Sequence, residues 1–416
     1  MKEGKKQLTF IDLFAGAGGL SEGFIRAGYK SVAHVEKDTN ACLTLKTRLA
    51  YHYLKKNNRF RFYISYLKKE ITQQELYDSI PEEILDAVIN HEINSRTIVS
   101  IFSNIDKFKG SKEIDLIVGG PPCQAYSLSG RAADLNGMKG DHRNFLYKYY
   151  GKFLIKYKPK IFVFENVPGL YNANSGKYYN NMLKHFSEIG YKVEDKILDA
   201  ADYGVLQRRK RVILLGWKKE LKLTYPDFNK IDLKWTVKDL FFDLPTLKAG
   251  ESEEISYYIN DGLDYLNKYE IRNGLDFTVQ HITRPNNYRD LRIYKIAIEK
   301  LENEGKRLRN DEIPKRIRTQ NNTSSFLDRF KVVNKNDVSH TIIAHIAKDG
   351  HHYIHPDINQ LRSLSVREVA RIQSFPDEYL FEGSRTSAFT QIGNAVPPLF
   401  SLALAKGIKK LLKKND

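Results

Sequence analysis

The chain has 416 residues, more than one typical domain, and is 41% hydrophobic and 28% charged, a balance that excludes an intrinsically disordered chain. Its 67 Lys and Arg against 50 Asp and Glu leave a formal net charge of +17, which points to nucleic acid as the first partner to test, or else to a solvated basic surface. Two cysteines exclude a disulfide framework, residues 1–8 leave no room for the apolar core of a signal peptide, and no stretch approaches the ~20 apolar residues of a membrane span, so a cytoplasmic location without membrane contact is expected.

The first apolar run, 8–13, reads as a strand, and the segment 12–20, Asp-Leu-Phe-Ala-Gly-Ala-Gly-Gly-Leu, follows it and opens a helix. Its glycines let the backbone approach a ligand closely, although a lone glycine loop serves as readily as a plain turn. The pattern is G-x-G-G and departs from the dinucleotide fingerprint, whose third glycine would fall at Ser21. A second run, 31–35, ends at Glu36, about 20 residues after the first glycine, where a carboxylate can bind both hydroxyls of a ribose or simply face water. Cys42 lies in a plain helical pattern and reads as a buried structural thiol. Residues about 50–100 read as polar helices inserted before the third strand, with Thr72 and Glu75 at capping-box spacing.

The third run, 114–118, leads into 119–124, Gly-Gly-Pro-Pro-Cys-Gln, at the carboxyl edge where open α/β sheets place their ligands. Two prolines stiffen the approach to Cys123 and two glycines leave room, a costly arrangement for an inert thiol. A thiol of ordinary pKa, ~8.5, needs positive charge or a base nearby to act as a nucleophile. Phe145, Leu146, Tyr149, Tyr150, Phe153, Leu154 and Tyr157 recur at helical spacing and predict a crossover helix on the sheet. After the fourth run, 161–164, Glu165 faces the same crevice, where an apolar surround would raise its pKa and let it donate a proton; helix capping is the plainer role for it and for Asn166. The stretch 207–211, Gln-Arg-Arg-Lys-Arg, precedes the fifth run, 212–215, and strand alternation puts Arg209 and Arg211 on one side, over the thiol or in solvent.

Beyond Trp217 the texture changes: residues about 220–345 are rich in Lys, Arg, Asn and Tyr, with weak periodicity, and predict a smaller second lobe. His345, His351, His352 and His355 invite a metal, but 341–347 and 353–355 flank Asp349 and Gly350, a hairpin signal, so they read as strand and turn residues with no metal. Ser365 and Glu368 form a capping box, Leu364 and Val369 can staple it, and Pro376 ends the helix. The run 391–398, Gln-Ile-Gly-Asn-Ala-Val-Pro-Pro, places Asn394 in a turn before an apolar helix, 399–412, that packs back on the first lobe. The chain thus divides into 1–219, carrying the insertion; 220–345; a hinge and helix, 346–390; and a returning segment, 391–416.

In order and spacing, segments 12–24, 119–130, 165–167, 207–211, 362–375 and 391–398 resemble the DNA cytosine-C5 methyltransferases of bacterial restriction-modification systems, over nearly the whole chain. The resemblance implies an α/β fold: a Rossmann-like domain dependent on S-adenosyl-L-methionine, its mostly parallel sheet covered by helices on both faces, plus a smaller, variable target-recognition lobe. It implies that Cys123 adds to C6 of cytosine while Glu165 contacts N3, with Arg209 and Arg211 as partners of the base and the site. Phe14, Ala15, Gly16, Gly18 and Gly19, with Glu36, Gly120, Pro122 and Leu146, match positions lining the cofactor, and Asn394 matches a residue that organises the site. Asn104, followed by Ile105, stands where the family often has an aspartate near the adenine, and Lys37 where an aromatic or apolar residue is common.

A thiol cannot reach a base inside a duplex, so the resemblance also implies cytosine flipping, closure of the loop 125–143, and reading of base edges by the lobe at about 220–345. Double-stranded DNA is then the partner, a restriction endonuclease with the same target the functional companion, and a monomer the default. The nearest rival, methylation of cytosine in tRNA, is disfavoured by the sizeable basic lobe. A catalytically silent accessory relative would lack Cys123 or Glu165, and both are present.

Overall fold

The computed structural model describes residues 7–122, 145–262, 264–319, 324 and 327–413, so Cys123 and the loop 125–143 lie outside the described residues. Seven strands, β1 (Thr9–Leu13), β2 (Lys30–Glu36), β3 (Val88–Asn90), β4 (Leu116–Gly119), β5 (Ile161–Asn166), β6 (Tyr191–Asp199) and β7 (Lys210–Lys218), form one sheet in the order β3-β2-β1-β4-β5-β7-β6. The first five pair in parallel, and β7 runs antiparallel between β5 and β6. Strand order reverses between β1 and β4, the switch point where such sheets open a crevice at the carboxyl ends.

Alternation along the strands feeds two cores. Ile11, Leu13, Ile117, Phe162 and Phe164 point to one face, beneath helices α6 (Ile98–Lys109), α7 (Leu146–Tyr157) and α8 (Lys177–Glu188). Phe10, Leu116, Val118, Ile161 and Val163 point to the other, beneath α1 (Gly19–Arg26) and the last helix, 398–413. With both faces covered, the strands read as continuous apolar runs, which is why five of them are legible in the sequence. The other two are not. Strand β3 has only three residues, and β6 is an exposed edge strand with only Tyr191 buried, so neither carries an apolar pattern.

The inserted segment therefore ends earlier than expected, because β3 at 88–90 is part of the main sheet. Helices α2 (Thr39–Lys56), α3 (Phe60–Leu67), α4 (Gln73–Asp78) and α5 (Glu82–Asp86) precede it, with α4 opened by the Thr72 and Glu75 capping box. Tyr63, Leu67 and Leu76 from these helices pack on Phe277 and Val279 of the second lobe, and the Tyr63 hydroxyl donates to the Glu378 carbonyl at 2.9 Å. The insertion is thus a strut between the lobes.

The second lobe contains α9 (Val237–Phe241), the antiparallel pair β8 (Ser252–Tyr257) and β9 (Phe277–Ile282), α10 (Asp264–Lys268) and α11 (Tyr288–Glu304). The helix of the segment 346–390, expected as a hinge, packs with this lobe against Val237, Leu240 and Tyr265: it is α12 (Val366–Ile372), every residue of which is buried, opened by the reciprocal bonds of Ser365 and Glu368. Three buried guanidiniums surround it, Arg367 and Arg371 from the helix itself and Arg362 from the segment before it. Arg362 grips Glu368 at 2.6 and 2.7 Å, Arg367 donates to the carbonyls of Val279, Pro376 and Tyr379, and Arg371 pairs with Asp243 and Asp377.

The expected hairpin at Asp349 and Gly350 does not form: 344–347 is a 3-10 turn, and Ile354 bridges Val332 and Ser363 instead. Arg284 gathers the carbonyls of Ile346, Ala347 and Lys348, which curls this segment out of any extended ladder. The chain closes through α13 (Arg385–Asn394) and α14 (Pro398–Lys413), the latter lying along α1. Gly23 permits that contact, since a Cβ there would sit 2.3 Å from the Leu402 nitrogen.

Candidate active site

Because β7 runs antiparallel to β5, its first residues return to the carboxyl edge of the sheet. Asn166 aligns with Val212 and Glu165 with Ile213, so Arg211 stands at the end of β5. Its Nε lies 2.7 Å from Glu165 Oε1, and both side chains are about one-tenth exposed (10% and 12%), enough for a ligand to reach the second carboxylate oxygen. Gly120 passes directly over that oxygen: a Cβ there would lie 2.5 Å from Glu165 Oε2. Asn166 ties the loop down, its Nδ2 donating to the Pro121 carbonyl at 3.3 Å and its Oδ1 accepting from the Val167 N–H at 2.9 Å. Cys123 follows the half-buried Pro122 in sequence. The neighbour of Glu165 is a guanidinium rather than the apolar surround expected, so the carboxylate is oriented by an ion pair, with one oxygen left to meet a ligand.

Arg209 does not share this edge. It lies before β7 begins, where its N–H donates to Asp199 Oδ1 at 2.8 Å, so strand alternation does not govern it. Its guanidinium is buried and donates to the carbonyls of Ile342, Gly393 and Ala395, joining the sheet to the second lobe and to the turn after α13. Gln207 works beside it, bonded to Gln373 and to the Ile342 N–H, each at 2.8 Å. In this structure Arg209 positions main chain, while Arg211, two residues on, stands beside Glu165.

The glycine loop leaves β1 through Phe14, Gly16 and Gly18, all in the left-handed region (φ 58°, 55° and 82°). Only Gly16 of these glycines opens onto free space, with no atom within 4 Å of a Cβ placed there. A Cβ on Gly18 would strike Leu45 at 2.7 Å, and one on Gly19 the Val396 carbonyl at 2.2 Å, so those two serve close packing of the loop and α1. Ala15 is buried against Cys42, Leu45, Leu49 and Val88. Burial pushes the Cys42 thiol up to about 12, which keeps it inert.

Glu36 ends β2 beside the loop. Its Oε2 accepts from the Gly16 N–H at 2.8 Å, and its Oε1 from the N–H groups of Lys37 and Asp38 at 2.8 and 2.9 Å. The residue aligned with Glu36 on the neighbouring strand is Asn90, whose Nδ2 donates to the carbonyls of Glu36 and Lys37. Asn104 and Ile105, expected near the adenine, lie within α6, with Ile105 wholly buried. The three-residue strand Val88–Asn90, just ahead of His91, is the only sequence signal that could have found Asn90. Beneath the loop, Asp12 is fully buried, accepts a bond from Ser21, and is pushed up to about 7, chiefly by burial. Leu146 opens α7 and is buried, while Asn394 is the exposed last residue of α13 rather than part of a turn.

The open cradle at Gly16, with the carboxylate of Glu36 and the amide of Asn90 beside it, suits a ligand carrying a ribose and a charged or polar tail. Among the described residues no group of three or more His, Cys, Asp or Glu is placed to hold a metal ion. His351 bonds Tyr294 and His355 accepts the Asp357 N–H. Among the same residues no helix is long and apolar enough to cross a membrane.

The sequence matches the profile of the C-5 cytosine-specific DNA methylases over residues 8–62 and 67–410. It is 44% identical to the type II methyltransferase M.Bpa9945I of Bacillus paralicheniformis, covering 97% of this chain and 99% of that protein. It is 32% identical to the type II methyltransferase M.DdeI of Desulfomicrobium norvegicum, over 96% of this chain and 88% of that one. The fold is that of a prophage-encoded DNA modification methyltransferase from E. coli (TM-score 0.65, 24% identity, 98% and 100% of the two chains) and of the Entamoeba histolytica methyltransferase EhMeth (TM-score 0.56, 14% identity, 99% and 100%). A profile match over nearly the full length, carried by a sheet whose switch point holds Glu165, Arg211 and the glycine loop, shows that this chain belongs to the C-5 cytosine-specific DNA methylases, enzymes that place a methyl group on carbon 5 of cytosine in DNA.

Proposed function

We propose that the chain methylates a cytosine flipped out of a specific short duplex sequence, with Cys123 as nucleophile and S-adenosyl-L-methionine as donor. The observation that carries this reading is the Glu165 and Arg211 pair held under Gly120, three residues before Cys123, at the switch point of the sheet. The Cys123 thiolate forms a bond to C6 of the ring, and the displaced electron pair makes C5 nucleophilic. Glu165, fixed by Arg211, contacts N3 and stabilises the charge that gathers there. After methyl transfer a base removes the C5 proton and the bond to Cys123 breaks, restoring the aromatic ring and the thiolate.

The donor, when bound, would supply an electrophilic methyl group, its sulfur–methyl bond breaking to leave the neutral thioether S-adenosyl-L-homocysteine. The open side of Gly16, Glu36 and Asn90 would hold it, with Phe14, Pro122, Leu146 and Asn394 around it. Residues 220–345 read the bases, and a restriction endonuclease with the same target is the functional companion. A cytoplasmic monomer is the form in which we place this activity.

Bisulfite sequencing of plasmid DNA from cells expressing the chain, and separately its Cys123→Ser variant, tests the reading. The expected result is protected cytosines at one short recurrent sequence, seen only with the intact cysteine. Protection that survives Cys123→Ser, or methylation confined to tRNA, overturns it.

A further inference from the structure

The amino ends of the strands, opposite Glu165 and Arg211, carry a different chemistry. In a parallel α/β layer the crossover helices end on that edge, and here lysines close them: Lys55 and Lys56 on α2, Lys107 and Lys109 on α6, Lys156 on α7. Each complements the negative end of its helix dipole, and taken singly needs no other explanation. That rule does not reach Lys30, the first residue of β2, Lys112 in the loop entering β4, or Lys218, the last residue of the antiparallel β7.

Two neighbouring grooves run along this edge, of about 900 and 440 Å³, with the last turn of α6 between them. The larger passes Lys30, Lys56, Lys107 and Lys112, the smaller Lys109, Lys156, Lys158, Lys160 and Lys218. Burial and the nearby ammonium groups of Lys112 and Lys56 push Lys30 below its ordinary value. Like charges are therefore held together here, a cost that an anion lying across them would relieve. The acids nearby cancel only part of this charge. Asp106 pairs with Lys156 at 2.8 Å, Asp115 with Lys160 at 3.8 Å and Glu220 with Lys218 at 4.0 Å, Glu113 lines the smaller groove, and Glu82, Glu83 and Asp86 stand on the α5 rim of the larger one, which leaves Lys30, Lys112 and Lys158 as the lysines on which an anion site would rest.

We propose that this amino edge is a second surface for the phosphodiester backbone of duplex DNA, separate from the crevice that takes the target cytosine. A run of lysines along a groove suits a regularly spaced polyanion, because contacts and released counterions add up along it without base reading. One molecule then holds a neighbouring segment of a long DNA while the crevice samples another, which raises the local concentration of targets.

The test replaces Lys30, Lys112 and Lys158 together by Gln and uses the full chain. Transfer to a short duplex bearing one target reports on the crevice alone and is expected to stay within about twofold of wild type, whereas methylation of a long plasmid at physiological salt slows about tenfold. For target-free duplex the dependence of log affinity on log salt becomes shallower by up to about 3, one contact per lysine, and Lys→Arg at the same positions keeps the wild-type slope. An unchanged slope and plasmid rate overturns the proposal. Equal loss on short and long DNA overturns it as well, by assigning the lysines to the fold or the crevice, as does loss of RNA affinity with DNA affinity intact. Failure on the short duplex by the wild-type chain would strike the DNA-methylating activity on which the proposal rests.

Discussion

Two arginine–carboxylate clusters in this molecule do opposite work. At the carboxyl edge of the catalytic sheet, Arg211 holds Glu165 by one nitrogen, leaving a carboxylate oxygen under a glycine where a ligand can enter. In the second lobe, Arg371 is sealed between Asp243 and Asp377, all three wholly or nearly wholly buried. The difference teaches how one chemistry serves reaction in one place and architecture in the other: spare hydrogen-bonding capacity is kept at the edge and removed in the interior, where an unpaired charge is intolerable.

Five predictions break or sharpen that contrast. Glu165→Gln keeps size and loses charge at the edge; we expect single-turnover methyl transfer to fall about 10²- to 10⁴-fold with the thermal midpoint nearly unmoved. A large drop in stability would place Glu165 with the structural cluster instead. Arg371→Met leaves Asp243 and Asp377 buried and unpaired, and should cost roughly 3–5 kcal/mol in chemical denaturation, with the second lobe the first to be cut by protease. A loss under about 1 kcal/mol would mean that the cluster is dispensable.

The pH dependence separates the buried groups by type. Asp12, beneath the glycine loop, is pushed up to about 7 from 3.8, so between those values the native state holds a proton that the unfolded chain releases, and stability falls as pH rises. Asp12→Asn should therefore gain roughly 2–4 kcal/mol relative to wild type between pH 4 and 8, read as the difference in denaturation midpoint. His34, beside Asp12, and His340, His352 and His355 farther along the chain are pushed down to about 4, chiefly by burial, so their contribution to stability is lost as pH falls from 6.5 towards 4. The smallest effect is that of Gly23→Ala, which crowds α14 and should cost about 1–3 kcal/mol by thermal unfolding, through overpacking alone.

Much of the site was legible because its parts are local. Glu36 follows an apolar strand at the distance a βαβ unit requires, and Glu165 sits directly after another such strand. The Ser365 capping box and the Leu364 and Val369 staple are likewise contacts between residues a few positions apart. Arg209 and Arg211, by contrast, look alike in sequence and part company in space, because the partners of Arg209 are carbonyls more than a hundred residues away. Strand β3, which sets Asn90 beside Glu36, is not legible because three residues carry no period, and the hairpin signal at Asp349 and Gly350 fails because Arg284, far upstream, captures the preceding carbonyls.

By itself, then, the sequence determined the apolar strands, the glycine loop, the stiffened approach to Cys123 and the sheet they build, since periodicity and backbone freedom act over a few residues. Only the tertiary structure decided that β7 runs backwards to deliver Arg211 to Glu165, that Arg209 becomes a clamp, and that three buried guanidiniums hold the second lobe together. Strand direction and the pairing of a buried charge depend on partners brought together by the whole fold, and no short stretch of chain records them.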